Sequence, residues 1–492
     1  MKRGLGSSLM ALWIVGCCVS THAEDRVPTP ARPPNVVFIM VDTLRSDHLG
    51  CYGYRRATSP NIDRLASEGV LFENCYSAAS WTPPAVMSMF TGLDPLVHGC
   101  VSSDAKLAAG IPTLAEQFRK KGYYCAAIIS NDCLKGKRGY ERGFHHYDDY
   151  TVFLQTDLAL FGGVSPKDDL AVNDIVTGDI VTRQAKTILD KAKRTGKPFF
   201  LFVLYFDPHD SYVPPAPYDK RFDADYTGKM NGRAIQAMRY EPPAERDLEH
   251  LVARYDGEIA YTDAQIAGFL KKLDEVSEPK NTLTLFVADH GEAFGEHGML
   301  QHGNSAYREE VCVPFIWRWP GVLPRGHRVK APVSNLDIAK TLNALMHFRG
   351  FDLLQGRSLW PGLTGGELPR DRLVLSHRAL DRSKELDCTR RHVALTCGVH
   401  RLHARFDEAL SGKEAKFELF DVSKDPGEVT PIAVSRPTAL HDRLKASAHG
   451  MWSQSLDIRH YYHKDGKTPR TTLTDAERRR LESMGYLTPR KK

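Results

Sequence analysis

The sequence predicts an α/β fold, a mostly parallel central sheet flanked by helices, followed by a small C-terminal α+β subdomain. Three observations carry that expectation. Continuous apolar, β-rich runs at 36–41, 125–129, 199–206 and 282–288 have the composition of strands buried on both faces. Stretches of helical periodicity at 111–120, 180–193 and 263–273 fall between them, and strand–helix alternation builds parallel sheets through crossover connections. Beyond about residue 366 the pattern changes to short strand-like runs at 393–399, 402–406 and 417–422, close enough in sequence to pair as a small antiparallel sheet.

Taken in order, the chain opens with Lys2 and Arg3, an apolar run over 9–19, and small residues around Ala23. This reads as a secretory leader over 1–23, too short for a comfortable membrane span. A second reading takes Ile14-Val15-Gly16-Cys17 as a lipobox that leaves a lipid on Cys17. Either way the mature protein is expected to be exported, periplasmic or extracellular, and at a membrane only if lipid-anchored. A Pro-rich linker over 24–34 follows, then a catalytic domain over 35–370 and a C-terminal subdomain over 371–492. Within the latter, Thr474-Asp475-Ala476-Glu477 is a capping box opening a last helix that Gly485 ends. Eight cysteines remain after the leader, without zinc-finger spacing; they are buried small apolar residues or unassignable disulfides.

The 492 residues are 42% hydrophobic and 26% charged, ordinary for a protein with a large core. The net charge of +6 is spread along the chain. No basic stripe interleaved with aromatics stands out, so no nucleic-acid partner is expected; Arg478-Arg479-Arg480 and Arg490-Lys491-Lys492 read as solvated surface.

The candidate chemistry starts with two acids. Asp42 and Asp289 each directly follow a predicted strand, and the carboxyl ends of strands in an open parallel sheet form its ligand crevice. With His290 beside Asp289, they make a ligand set for a divalent cation; singly, each acid reads equally well as a turn cap. Thr82, in Ser80-Trp81-Thr82-Pro83-Pro84 before an apolar helical run, is expected at a helix N-cap, where unpaired N–H groups and the helix dipole favour an anion. A cation on its oxygen would make it a competent nucleophile. His209 ends the 199–206 strand region and His302 lies in a turn after Asp289. Either imidazole is placed to bind a tetrahedral oxyanion or to protonate a leaving group. His297, in Gly295-Glu296-His297-Gly298, reads as structural.

These motifs, in this order, resemble the sulfatase family of the alkaline-phosphatase superfamily. The resemblance is carried by Asn35-Val36-Val37-Phe38-Ile39-Met40-Val41-Asp42, Met89-Phe90-Thr91-Gly92, Phe206-Asp207-Pro208-His209, Ala288-Asp289-His290-Gly291-Glu292, and Phe417-Glu418-Leu419-Phe420-Asp421. It implies a metal-dependent hydrolase of sulfate or phosphate mono- or diesters. The departures are specific. Where family members resembling the best-known type carry a Cys or Ser that becomes formylglycine, this chain has Thr82, and the arginine four residues on is Val86. Leu93 replaces another basic residue, and His302 falls where a lysine is common. The methyl on the threonine Cβ rules out an aldehyde. What remains resembles threonine-using phosphodiesterases and phospho-group transferases.

The expected site is therefore Thr82 as nucleophile, Asp42, Asp289, His290 and Thr82 around one cation, and His209 and His302 facing substrate. Thr43, after Asp42, removes a second acid of the calcium type. That favours zinc or manganese, with calcium or magnesium still open. The substrate class is a sulfated or phosphorylated small molecule, carbohydrate or lipid. A phospho-group transferase and a non-catalytic binding protein are the alternatives.

Overall fold

The computed structural model describes residues 32–154, 177–233, 235–378, 390–407, 416–433, 438–464, 467–475, 477, 478 and 481. The expected leader, Cys17, Cys388 and Gly485 lie outside them.

The apolar runs become strands. Asn35–Val41 (β1), Val70–Phe72 (β2), Tyr124–Ile128 (β3), His146–Asp148 (β4), Phe199–Tyr205 (β5), Thr282–Ala288 (β6), Phe315–Arg318 (β7) and His327–Val329 (β8) form one sheet in the order β8-β2-β7-β6-β1-β5-β3-β4. Its centre, β6-β1-β5-β3, is parallel, with Val41 beside both Tyr205 and Ala288. Only β7 runs antiparallel to its neighbours. Every side chain of β5 and β6 is buried, because helices cover both faces of such a sheet.

Two helices differ from expectation. The helix expected from residue 111 starts at Leu114 and ends at Lys120 (α2); Thr113 caps it with Glu116 in a reciprocal capping box, so the local hydrogen bonds, not the apolar period, set its start. The helix expected over 263–273 is the end of a 32-residue helix, Glu245–Val276 (α4). Its middle is hidden from hydrophobic patterning because it buries polar residues. Asp256 takes hydrogen bonds from Tyr54 and Arg56 and pairs with His48, and Asp263 accepts the Asn61 and Ile62 amides. The helix expected over 180–193 is Gly178–Thr195 (α3).

The C-terminal strands Leu373–His377 (β9), Arg390–Cys397 (β10), His400–Asp407 (β11) and Lys416–Asp421 (β12) form an antiparallel sheet in chain order. Helix Ala439–Tyr462 (α5) packs Leu444 into the sheet's apolar face. Glu428 ties this sheet to the short helix Arg308–Val311 that follows His302. Its carboxylate accepts from Arg401 Nη1 (2.6 Å), pairs with His403 Nε2 (2.8 Å), and accepts the Arg308 amide (2.9 Å). Burial opposes its charge, but Arg401 and His403 prevail and hold it down at about 2. The Thr474–Glu477 capping box is present, the Glu477 amide donating to Thr474 Oγ1 and the Thr474 amide to Glu477. Among the described residues seven cysteines are free thiols, six of them buried. No helix among the described residues is long and apolar enough to cross a membrane.

Candidate active site

Four adjacent parallel strands deliver side chains to one point. Asp42 follows β1, Asp289 and His290 follow β6, His209 lies four residues past β5 and Asn131 three past β3. Because β1 lies between β5 and β6, strand pairing itself sets Asp42 beside Asp289. One ligand atom each from Asp42, Asp289 and His290 fall within 4.8 Å of one another, all buried.

Thr82 enters from the other side, on Thr82–Thr91 (α1). It is the first helical residue and not the N-cap expected from sequence; Trp81, with extended φ −153° and ψ 144°, takes the cap position. The helix starts one residue early because Pro83 and Pro84 fit a first turn whose N–H groups have no intrahelical acceptor. Thr82 thus spends its hydroxyl on the site and not on its own backbone. Its Oγ1 lies 3.1 Å from His290 Nε2 and 3.4 Å from Asp42 Oδ1.

The His290 ring is fixed by a backbone contact. Its Nδ1 lies 2.9 Å from the Gly291 carbonyl, which can only accept, so Nδ1 carries a proton. Nε2 then faces Thr82, Asp42 (3.6 Å) and Asp289 (3.5 Å). A ring held in this way is how imidazole metal ligands are oriented. Burial, and then the neighbouring Asp289 charge, push the Asp42 carboxyl well above its ordinary value, against opposing help from His209, Asn131 and Thr82. Asp289 Oδ1 accepts the Thr43 and His290 amides, whereas its buried Oδ2 has no hydrogen-bond donor. Two buried carboxylates with ligand atoms within 4.8 Å, one oxygen without a donor and an imidazole nitrogen facing both, fit a divalent cation.

The substrate-facing histidines expected from sequence are also gathered here. The His302 ring centroid is 4.4 Å from that of His290 and 4.9 Å from that of His209. His209 Nδ1 is 2.9 Å from Asp210 Oδ1, and the Phe206 ring stacks on the imidazole at 4.4 Å. Burial lowers the basicity of His209, but the Asp210 carboxylate outweighs it, with Asp42 and Glu292 adding, and raises it to about 10. His302 Nδ1 is 3.1 Å from Glu292 Oε1. Burial and then Asp210 raise the Glu292 carboxyl well above its usual range. His297 stays out of this centre, pairing with Glu309 (2.8 Å) and stacking on Tyr307 (3.6 Å).

Three residues were not anticipated. Asn131 Nδ2 donates to Asp42 Oδ2 at 2.7 Å; its place past the 125–129 run is the signal that marked Asp42. Glu292, which pairs with His302, closes one quoted motif, and Asp210, which pairs with His209, directly follows another. Val86 and Leu93, standing in place of basic residues, are packed in the main core, so neither position offers a cation to an anionic substrate.

The sheet carries a candidate cation site at its strand ends, and comparison with known proteins gives the class, a hydrolase of sulfuric or phosphoric esters. Residues 34–348 match the family model described as Sulfatase, and residues 295–450 match N-sulphoglucosamine sulphohydrolase, C-terminal. The chain belongs to the sulfatase family. An arylsulfatase of Clostridium perfringens is 29% identical over 375 residues, covering 66% of this chain and 77% of that protein. A structure described as bound to its substrate, D-glucosamine-2-N,6-O-disulfate, superposes with a TM-score of 0.69 at 19% identity, over 87% of this chain and 99% of the other. The phosphonate monoester hydrolase of Agrobacterium radiobacter gives 0.67 at 23% identity, over 87% and 96%.

Proposed function

We propose that the chain is a metal-dependent hydrolase that cleaves a sulfate or phosphate ester, with Thr82 as nucleophile. The observation that carries this reading is the position of Thr82 Oγ1, at the first turn of α1 and within 3.4 Å of both His290 and Asp42. Asp42, Asp289, His290 and Thr82 would hold one divalent cation, zinc or manganese by donor type. When bound, that cation lowers the pKa of the threonine hydroxyl and neutralises charge on the ester oxygens.

Thr82 gives up its hydroxyl proton to solvent and attacks sulfur or phosphorus in line; the Thr82 O–S or O–P bond forms as the bond to the alcohol oxygen breaks. His209, cationic because Asp210 raises it to about 10, holds a proton at Nε2 for the departing alkoxide. Water then cleaves the threonine ester, one of its protons restoring the Thr82 hydroxyl and the other His209, and a monoester substrate leaves as inorganic sulfate or phosphate. His302 is placed beside His290 and His209 to bind an equatorial oxygen, the role the absent basic side chains leave open. A sulfated or phosphorylated carbohydrate is the favoured substrate class, on the strength of the disulfated glucosamine bound by one structural neighbour.

The test is turnover of nitrophenyl sulfate, phosphate and phosphonate esters with added zinc or manganese. Thr82→Ala is expected to lower kcat by roughly 10³-fold or more, as removal of a nucleophile does elsewhere. Equal rates for wild type and Thr82→Ala on all three esters would refute the nucleophile. No turnover by either would favour a binding protein.

A further inference from the structure

The end of the chain reaches back to the catalytic centre. Residues 467–475 run beside the loops that carry Cys100–Ala105 and Asp132–Arg138. The Lys106 amide donates to the Pro469 carbonyl (2.7 Å), the Thr471 amide to the Asp104 carbonyl (2.9 Å), and Lys137 Nζ to the Thr472 carbonyl (3.1 Å) and to Glu477 (2.7 Å). This arm ends, among the described residues, at Leu481. Its side chain is fully buried in a small apolar cluster, apart from the main core, with Trp81, Cys133 and Phe206.

Each of those three residues is attached to a different part of the site. Trp81 is peptide-bonded to Thr82 and sets the start of α1. Phe206 stacks on His209 at 4.4 Å with an interplanar angle of 22°. The Cys133 amide donates to Asn131 Oδ1 at 2.9 Å, and Asn131 Nδ2 holds Asp42 at 2.7 Å. One aliphatic side chain, from the far end of the sequence, therefore fills the space behind the nucleophile, the proton donor and a cation ligand.

We propose that Leu481 is a positioning residue for the reaction, bracing Thr82, His209 and Asn131 through Trp81, Phe206 and Cys133, with the arm as its mount. The inference rests on the site reading above. Its physical basis is packing: interiors are dense, a void leaves its lining without contacts, and sub-ångström displacement of reacting groups costs rate steeply. Leu481 touches no substrate in this scheme; it removes the freedom of the groups that do.

The experiment compares Leu481→Ala, Leu481→Met, Lys137→Met and Leu444→Ala in the full chain. Leu444 is an equally buried leucine that packs in the C-terminal cluster, so it reports general destabilisation. Manganese affinity by calorimetry reads the cation site without turnover, and so separates failure of this inference from failure of the Thr82 mechanism. Leu481→Ala is expected to lower kcat at least tenfold with KM unchanged and to weaken manganese binding severalfold. Leu481→Met should recover most of both, Lys137→Met should show a weaker form of the same split, and Leu444→Ala should leave kcat and manganese affinity at wild-type values. Wild-type kcat and affinity in folded Leu481→Ala would overturn the proposal, as would equal losses in Leu444→Ala. Should Leu481→Ala fail to fold, unaltered kcat and affinity in Lys137→Met would overturn it.

Discussion

Replacing Asp289 by asparagine should make the metal-free protein more stable while removing its response to metal. Asn keeps the Oδ1 acceptor used by the Thr43 and His290 amides and replaces Oδ2, which has no donor, by an amide group. It also deletes one of two buried negative charges whose ligand atoms lie within 4.8 Å. Two unit charges about 4 Å apart repel by about 4 kcal/mol at an effective dielectric near 20. Asp42 escapes part of that by retaining its proton, as its raised pKa records, so we expect a gain of about 1–3 kcal/mol. The assay is thermal unfolding in chelator and in excess manganese or zinc. Wild type should gain about 2.7 kcal/mol with metal at a hundred times its Kd, and Asp289→Asn should gain almost nothing. If Asp289→Asn without metal is less stable than wild type, or keeps the full metal shift, the carboxylates do not form a cation site.

Asn131→Ala should weaken metal binding by about tenfold, the usual effect of removing a group that orients a ligand, read by calorimetry; unchanged affinity would show that the 2.7 Å contact to Asp42 is incidental. Glu428 makes stability depend on acidity. Its folded carboxyl titrates at about 2 against an ordinary 4.5, so its contribution is complete above about 4.5 and lost as pH falls through 2. The full difference is about 3 kcal/mol, and a Glu428→Gln variant whose acid unfolding matches wild type would contradict it. The expected leader predicts that the expressed protein is recovered outside the cytoplasm with its first residue just after Ala23; an intact mass carrying lipid on Cys17 would select the lipobox reading, and a cytoplasmic protein with its leader intact would refute export.

The centre of the sheet was legible because strands buried on both faces are written as unbroken apolar runs, and β1 and β6 needed little more than that. The acids at their ends were legible for the same reason, since topology alone puts Asp42 and Asp289 side by side. Thr82 was assigned to the right place but the wrong helical position, because two prolines are as compatible with a helix's first turn as with the residues before it. Asp256 and Asp263 broke the apolar period of α4, so most of that helix went unread. Asp210 and Glu292 could not be assigned from spacing, because what matters in them is which histidine each one faces after folding. Asn131 could have been found by applying the strand-end argument once more.

Glu428 also has a consequence in time. The loop bearing His302 leaves the ribosome well before Glu428 does, and its Arg308 amide waits for that carboxylate. A newborn chain therefore carries all six catalytic and cation-binding side chains of the proposed mechanism before it owns the carboxylate that joins Arg308 to Arg401 and His403. A chain cut short ahead of Glu428 would keep the hold of Arg401 and His392 on Ala306 but lose the buried anion that neutralises Arg401.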